Sequence, residues 1–315
     1  MPVGFGVFET CSGRTSSLLA PIMLLSGHGG EIFSGKFHPD GEFLVSAGMD
    51  RDILIWKVYG ECENIHVMSG HSGAVLDLQL STDGERVYTA STDKTVGIWD
   101  LVEGRRVKRI KAHGGFVNSV CAARRGPPLL VTGSDDGTVK VWDTRRRGEL
   151  HTLPGAGFPI TSVSFTDTAE SVLTGGTDNE IRCWDLRRLA TPSLQLRGHT
   201  DTVTSLCLSP AKCSGAHVAS NAMDNTIRVW DVRPYFKGDG TRCTTALTGH
   251  QHNFEQNLIK VAWSPDGRRV ASGSADRCVH IWDVTSGRLI YRLPGHNGIM
   301  SVGSDKQIYL GEIES

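Results

Sequence analysis

Apolar residues occur along this chain in runs of five or six, and short polar turns separate the runs. After Gly70-His71, for example, an alternating apolar run leads to the turn 81–84, and two further runs cover residues 86–91 and 95–99. Asp-Gly, Pro-Asp-Gly and Asp-Lys sequences at the breaks are typical of reverse turns between antiparallel strands. The periodicity of an amphipathic helix is absent from these runs. The pattern therefore predicts an all-β protein.

The strands belong to a repeat of about 40 to 45 residues. Six of the seven tryptophans each end such a run, at intervals of 43, 43, 42, 46 and 52 residues. Most repeats also have a Gly-His pair whose histidine precedes the tryptophan by 28 to 32 residues. One four-stranded sheet cannot bury both of its faces alone, so sheets of this kind stack around an axis. We therefore predict one β-propeller, and 315 residues accommodate seven blades.

The order from Gly-His to Trp-Asp resembles the WD40 family over residues 18–315. In that family a loop histidine, a strand hydroxyl, a turn aspartate and the tryptophan indole form a hydrogen-bonded chain inside each blade. The resemblance implies these sets, with the sixth histidine being either His250 or His252: His28, Ser46, Asp50 and Trp56; His71, Thr89, Asp93 and Trp99; His113, Thr132, Asp136 and Trp142; Thr174, Asp178 and Trp184; His199, Ser220, Asp224 and Trp230; His250, Ser272, Asp276 and Trp282. A His/Ser/Asp set also suggests a nucleophilic triad, but its repetition in most blades favours the structural role.

Two repeats depart from the pattern. The fourth has Gly155-Ala156 in place of Gly-His, so we expect its network to be weaker. The last repeat is shorter by about 13 residues after Ile299, and its Trp-Asp position holds Gly311-Glu312. An omitted exon or faulty gene model and a naturally shortened blade both explain this gap. We expect a truncated blade that exposes a sheet edge and apolar surface.

The predicted organisation is a disordered leader at residues 1–17 followed by one propeller at 18–315, in which strand 18–25 closes the last blade. The formal net charge of -1 excludes a global basic field for nucleic acid or membranes. The eight cysteines include no Cys-x-x-Cys pair, which indicates a reducing compartment. No phosphate-binding loop or metal-ligand spacing is visible, so we expect no enzyme activity, cofactor, metal or small-molecule substrate.

Function in a propeller depends on its loops and rims. The candidate partner-binding residues flank the turn aspartates or lie in the long connection after Trp230: Met49, Arg51, Lys94, Met223, Arg277, Tyr235 and Phe254. Solvated turns and loop packing are the alternative interpretation. The short arginine clusters fit exposed surface better than phosphate binding. A Trp-Asp-x-Arg sequence that ends at Arg145, Arg187 and Arg233 also permits a substrate receptor of a cullin-type ubiquitin ligase.

Several stretches are more specific than the repeat, among them Met23–His28, Gly133–Lys140, Ser220–Asn225, His252–Glu255 and Tyr309–Ile313. Together they resemble the family of 40-kDa WD40 subunits of the U5 small nuclear ribonucleoprotein, which also lacks the fourth-blade histidine. The resemblance implies a nuclear, non-catalytic scaffold for pre-mRNA splicing. Its partners would be the large central splicing factor and other proteins of the U5 particle, with local or indirect RNA contact. The chain departs from that family at the gap after Ile299, which lies where the propeller ring closes.

Overall fold

A computed structural model describes residues 22–153, 157–210, 215–236, 241–252, 258–294 and 299–311. All regular elements in these ranges are strands, and none of the described residues form a helix that could cross a bilayer. The predicted leader at residues 1–17, residues 18–21 of the predicted first strand and the Gly155-Ala156 pair lie outside the described residues.

The first strand along the chain, β1 (Ile22–Ser26), belongs to the last sheet, and four-stranded blades follow it. Blade 1 contains β2 (Ile32–Phe37), β3 (Phe43–Gly48), β4 (Ile53–Lys57) and β5 (Asn64–Met68). Blade 2 contains β6 (Val75–Leu80), β7 (Arg86–Ser91), β8 (Thr95–Asp100) and β9 (Arg105–Lys111). Blade 3 contains β10 (Val117–Ala122), β11 (Leu129–Ser134), β12 (Val139–Asp143) and β13 (Glu149–Leu153).

The second half of the ring repeats this arrangement. Blade 4 contains β14 (Ile160–Phe165), β15 (Ser171–Gly176), β16 (Ile181–Asp185) and β17 (Leu194–Leu196). Blade 5 contains β18 (Val203–Leu208), β19 (His217–Ala222), β20 (Thr226–Asp231) and β21 (Cys243–Thr248). Blade 6 contains β22 (Val261–Trp263), β23 (Arg269–Gly273), β24 (Cys278–Asp283) and β25 (Leu289–Pro294). Blade 7 contains β26 (Ile299–Val302) and β27 (Gln307–Gly311) together with β1.

The seven antiparallel sheets form the predicted seven-bladed β-propeller. Its apolar core lies between neighbouring blades rather than inside any one of them. Trp99 of blade 2, for example, packs in one cluster with Val45 and Met68 of blade 1, and all three side chains are buried. This packing explains why the repeat encodes the fold, because each sheet needs a neighbour to cover its face.

Hydrogen bonds between the innermost strands form a belt around the central channel. In blades 1 to 5, the third residue of the innermost strand accepts a hydrogen bond from a backbone amide of the next blade. Leu78 N–H donates to Ser34 Oγ at 3.4 Å and Val120 N–H donates to an Asp77 carboxylate oxygen at 3.1 Å. The remaining bonds run from Val163 to Ser119, from Leu206 to Ser162 and from Val261 to Ser205.

Blade 7 has three described strands in the order β1-β27-β26, which confirms the expected short last blade. β1 closes the ring by pairing with β27 in antiparallel register, from Ile22 opposite Gly311 to Ser26 opposite Gln307. β26 pairs with the other edge of β27. Because β26 leads directly into β27 through one tight turn, it corresponds to the second strand of the other blades. The innermost strand is therefore the one that the described part of blade 7 does not contain.

Candidate interaction surfaces

The hydrogen-bonded chain inside blade 1 has the geometry that the WD40 resemblance implies. His28 Nδ1 lies 2.6 Å from an Asp50 carboxylate oxygen, and His28 Nε2 lies 2.7 Å from Ser46 Oγ. The Trp56 indole donates to the same hydroxyl oxygen at 2.8 Å. With a neutral imidazole, Nδ1–H donates to the aspartate and Nε2 accepts from the hydroxyl. Both imidazole nitrogens, the serine hydroxyl and the indole N–H of this set then have hydrogen-bond partners.

The same arrangement recurs in blades 2, 3 and 5. The sets are His71, Thr89, Asp93 and Trp99; His113, Thr132, Asp136 and Trp142; His199, Ser220, Asp224 and Trp230. The hydroxyl residue is completely buried in each set, so a substrate cannot reach it. This burial argues for a structural role of the sets.

Burial and hydrogen bonds decide the protonation of these groups. Burial alone would raise the pKa of Asp136, but hydrogen bonds from Thr138 and the Gly114 amide outweigh it and lower that pKa to about 2. Burial lowers the pKa of His113 below its usual value, although Asp136 partly opposes this change. The ionised aspartate and the neutral imidazole at pH 7 are the forms that the chain of donors and acceptors requires.

In blade 4 an arginine contacts the turn aspartate. The Trp184 indole donates to Thr174 Oγ1 at 3.1 Å, and the Asp178 carboxylate forms an ion pair with the guanidinium of Arg182. Arg182 lies two residues before the tryptophan and also binds Glu180 at 2.8 Å. A basic partner of the aspartate was therefore present in the sequence two positions before the tryptophan, outside the Gly-His pattern.

Blade 6 differs from the expected set of His250, Ser272, Asp276 and Trp282. His250 Nε2 lies 2.8 Å from Asn221 Oδ1 of blade 5, and the Trp282 indole donates to the Thr248 carbonyl at 3.0 Å. Asp276 is instead contacted by His280, at 3.0 Å. The His280 ring stacks on Trp282 and occupies the space between the tryptophan and the aspartate. Neither His250 nor His252 hydrogen-bonds to Asp276 in the described structure.

The turn aspartates lie at one end of the blades, and we call this end the rim. The rim candidates Arg51, Lys94 and Arg277 share an unusual backbone conformation. Each follows the turn aspartate directly and has a positive φ, of 71°, 66° and 62° respectively. Blade 3 places Gly137 there, and blades 4 and 5 place Asn179 and Asn225, the residue types that adopt this left-handed region most readily. Long basic side chains at such positions carry a conformational cost, which suggests selection for their charge.

The sequence pattern missed a fourth residue of this kind. Lys306, with a φ of 65°, follows Asp305 in the turn between β26 and β27 and is exposed. Arg277, Lys306, Arg51 and Lys94 thus occupy the same turn position in blades 6, 7, 1 and 2. The Asp-Lys pair after Val302 was the signal that could have revealed it. One arc of the rim is therefore basic, and the arc of blades 3 to 5 is not.

The other candidates fall on two different faces. Met49 is 57% exposed and lies beside Arg51 on the basic arc, whereas Met223 on the opposite arc is partly buried. Tyr235, which is 90% exposed, follows β20 in the connection to β21. Because turns alternate between the two ends of an antiparallel sheet, Tyr235 lies on the face opposite the rim of turn aspartates. Phe254 lies outside the described residues.

The arginines of the three Trp-Asp-x-Arg sequences form ion pairs within the chain. The Arg145 guanidinium binds the Asp143 carboxylate through two bonds of 3.0 Å, and Arg233 binds Asp231 in the same manner. Arg187 binds Glu170 at 2.5 Å. All three side chains remain largely exposed, so these pairs are weak in water.

Two further features bear on chemistry. The face opposite the rim has an open cavity of about 510 Å³ between blades 1 and 2, lined by Phe43, Ile55, Ile65, Leu101 and Val102 among others. Within the described ranges, no three His, Cys, Asp or Glu side chains lie close enough together to hold a metal ion, and the cysteines there are free thiols.

Comparison with known proteins agrees with this geometry. The WD domain, G-beta repeat, matches residues 19–57 and 241–283, and the nucleolar protein 10-like N-terminal domain matches residues 44–242. The chain is 51% identical to the U5 small nuclear ribonucleoprotein 40 kDa protein of Homo sapiens, over 96% of this chain and 86% of that protein. The Dictyostelium discoideum protein of the same name is 48% identical, over 96% and 87%. The pre-mRNA-splicing factor cwf17 of Schizosaccharomyces pombe is 39% identical, over 95% and 90%.

These identities cover 95 to 96% of the chain, so they concern the propeller as a whole rather than a single motif. The chain belongs to the WD40-repeat family of the U5 small nuclear ribonucleoprotein 40 kDa protein.

Proposed function

We propose that this chain is a non-catalytic scaffold of the U5 small nuclear ribonucleoprotein and acts in pre-mRNA splicing in the nucleus. The observation that carries the proposal is the 51% identity to the human U5 protein along 96% of the chain. The identity to a pre-mRNA-splicing factor of fission yeast supports the same process. Relatives that share this much sequence along one rigid ring are expected to share its docking surfaces.

The described structure supports a role in binding rather than catalysis. The His/Ser/Asp sets that could have formed a catalytic triad have buried hydroxyls, and the side chains of each set hydrogen-bond to one another. The basic turn residues of the rim, in contrast, are exposed and occupy the same position in four blades. A rigid ring that presents charged and apolar side chains at fixed positions is suited to protein docking.

The proposed partners are the large central splicing factor and other proteins of the U5 particle. We assign the basic arc and Met49 to one contact and Tyr235, on the opposite face, to a separate one. The balanced net charge of -1 makes tight sequence-independent RNA binding unfavourable, so RNA contact would be local or indirect.

Affinity capture of the tagged full chain from a nuclear extract tests the proposal, with identification of the proteins and small RNAs that it retains. The expected result is recovery of the U5 RNA with its large protein component. Capture of a cullin adaptor without that RNA would instead establish the ligase-receptor alternative. An Arg187→Ala/Arg233→Ala variant separates the two functions, because only adaptor capture would depend on those arginines.

A further inference from the structure

The described residues leave the place of an innermost strand in blade 7 unfilled, and we call this place the groove. The turn at Lys306 links β26 to β27, and only residues 295–298 separate β25 from β26. No described strand pairs with the edge of β26 that faces the channel. A Cβ atom on Gly35 of blade 1 would lie 3.1 Å from Met300 and 3.2 Å from Val302 of β26, so these side chains pack closely on blade 1 and form one wall of the groove.

On the side of blade 6, the described residues provide less cover for the wall of the groove than the equivalent wall has in blade 3. A Cβ atom on Gly133 of blade 3 would lie 2.7 Å from both Ile160 and Val163, which belong to the innermost strand of blade 4. At the equivalent Gly273 of blade 6, the nearest atom among the described residues lies 3.5 Å away and belongs to Ile259 of the same blade. Val279 is likewise partly exposed, whereas its counterparts are buried: Ile53, Val96, Val139, Ile181 and Ile227.

The groove also interrupts the belt of hydrogen bonds around the channel. Lys260 occupies the belt position of blade 6, where an ammonium group cannot accept a hydrogen bond from the next blade. Its ammonium crosses the channel to the Asp77 carboxylate and to Ser34 Oγ, which is 3.3 Å away. A strand added to blade 7 would complete the belt, since its third residue would lie between Lys260 and the amide of Gly35.

Charge at the rim indicates which sequence would precede such a strand. An innermost strand is antiparallel to its neighbour, so it begins at the end of the sheet where the turn aspartates lie. Arg277, Lys306 and Arg51 surround that end of the groove in blades 6, 7 and 1, and all three are exposed. Acidic residues at the start of an incoming strand would meet these cations.

We propose that this groove binds an extended segment of a partner protein, which becomes the fourth strand of blade 7. The innermost strands of the other blades indicate the chemistry of the segment. Its first and fourth residues are apolar, as are Ile160 and Val163 of blade 4. As in blades 1 to 5, its third residue carries a hydroxyl or carboxylate, which would accept from Gly35 and Lys260. Acidic residues precede it. Main-chain pairing with β26 would supply affinity and the alternating side chains would supply specificity. The groove would bind such a segment whichever assembly the chain joins.

A labelled peptide with two glutamates ahead of the sequence of Ile160–Phe165 tests the proposal by fluorescence anisotropy with the full chain. We expect saturable one-to-one binding, at least tenfold weaker binding when two lysines replace the glutamates, and none when proline replaces Val163 of the peptide. A grafted variant carries a copy of residues 160–170 inserted ahead of Ile299 and should not bind. A Gly-Ser insertion of equal length is the matched control and should still bind.

Absence of saturable binding to the natural chain would overturn the proposal, and so would equal binding to the grafted variant, because the peptide would then occupy another site. Two further results would show that the groove has a different occupant from a partner protein. If the chain dimerises and the peptide dissociates the dimer, a second copy fills the groove. If the peptide binds only after removal of residues 1–21, that segment of the same chain fills the groove. Near-ultraviolet circular dichroism verifies that each variant is folded.

Discussion

The guanidinium of Arg182 binds the carboxylate of Asp178 in blade 4, where blades 1, 2, 3 and 5 place a histidine against the turn aspartate. Both side chains are mostly buried, at 16% and 8% exposure. Loss of the arginine would leave a poorly hydrated carboxylate without its cation, so the fourth blade depends on a pair that the Gly-His repeat does not encode.

Replacement of Arg182 by alanine should lower the free energy of unfolding by about 2 to 3 kcal/mol, because Asp178 would remain buried and uncompensated. Urea unfolding followed by tryptophan fluorescence measures the change. The matched control is Arg187→Ala, which breaks an exposed pair with Glu170 in the same blade and should cost less than about 1 kcal/mol. Equal losses for both variants would show that the buried pair has no special role.

Thr89→Val tests the hydrogen-bonded chain of blade 2. Valine keeps the shape of the side chain but removes the hydroxyl shared by His71 and Trp99. We expect a loss of about 2 to 3 kcal/mol in unfolding free energy, because two buried nitrogens lose their partner. Thr177→Val, at an exposed turn of blade 4, is the control and should be nearly neutral. A stable Thr89→Val protein would mean that packing alone holds the blade.

The basic turn residues allow stability and partner binding to be separated. Arg51→Gly and Arg277→Gly should each raise the unfolding free energy by up to about 1 kcal/mol, since glycine relieves the left-handed backbone conformation. The same variants should weaken capture of the proposed U5 proteins, because they remove rim charge. Stabilisation without weaker capture would remove the basic arc from the binding surface.

Charge reversal gives the stronger form of that test. The double variant Arg51→Glu/Arg277→Glu should lose most capture while its thermal unfolding stays close to that of the natural chain. Arg147→Glu/Arg268→Glu is the matched control, since it reverses two exposed charges on the opposite face. Phe254→Ala tests, in the same assay, the binding role predicted from the sequence for the long connection after Trp230. Full capture by both the Arg51/Arg277 and Phe254 variants would refute the proposed contacts.

The buried histidines make stability depend on pH below neutrality. Burial, together with His252 and His280, lowers the pKa of His250 to about 4, from about 6.5 in an unfolded chain. The unfolded state therefore binds a proton more readily than the folded state between pH 6.5 and 4. This one group should reduce the unfolding free energy by about 3 kcal/mol as the pH falls through that range.

His250→Asn should flatten this dependence, and His66→Asn, at an exposed site on the opposite face, should leave it unchanged. Thermal melts at pH 7.0, 6.0 and 5.0 measure the slopes. Lowered pKa values at His71 and His113 act in the same direction, so the slope of the His250 variant should fall without reaching zero. Parallel slopes for all three proteins would contradict the assignment to His250.

The spacing of tryptophans and turns was enough to predict the propeller, because each blade repeats the same local chemistry and the same need for a neighbour. The exceptions depend on contacts between residues that the repeat does not align. His280 lies two residues before Trp282, and its contact with Asp276 depends on the space available in the folded blade. Lys260 reaches Asp77 across the channel, which only the closed ring brings near. Lys306 could have been predicted from the Asp-Lys pair at residues 305–306, but it was missed.

The pairing of β1 with β27 has a consequence for how the protein is made. Residues 22–26 leave the ribosome before almost all other residues of the chain. Their partner strand β27 ends at residue 311 and is therefore among the last parts to be synthesised. At ~5–20 residues per second, the first strand waits on the order of tens of seconds for that partner. During this interval its apolar residues need protection from other strand edges, so the nascent chain should be a chaperone client until its ends meet.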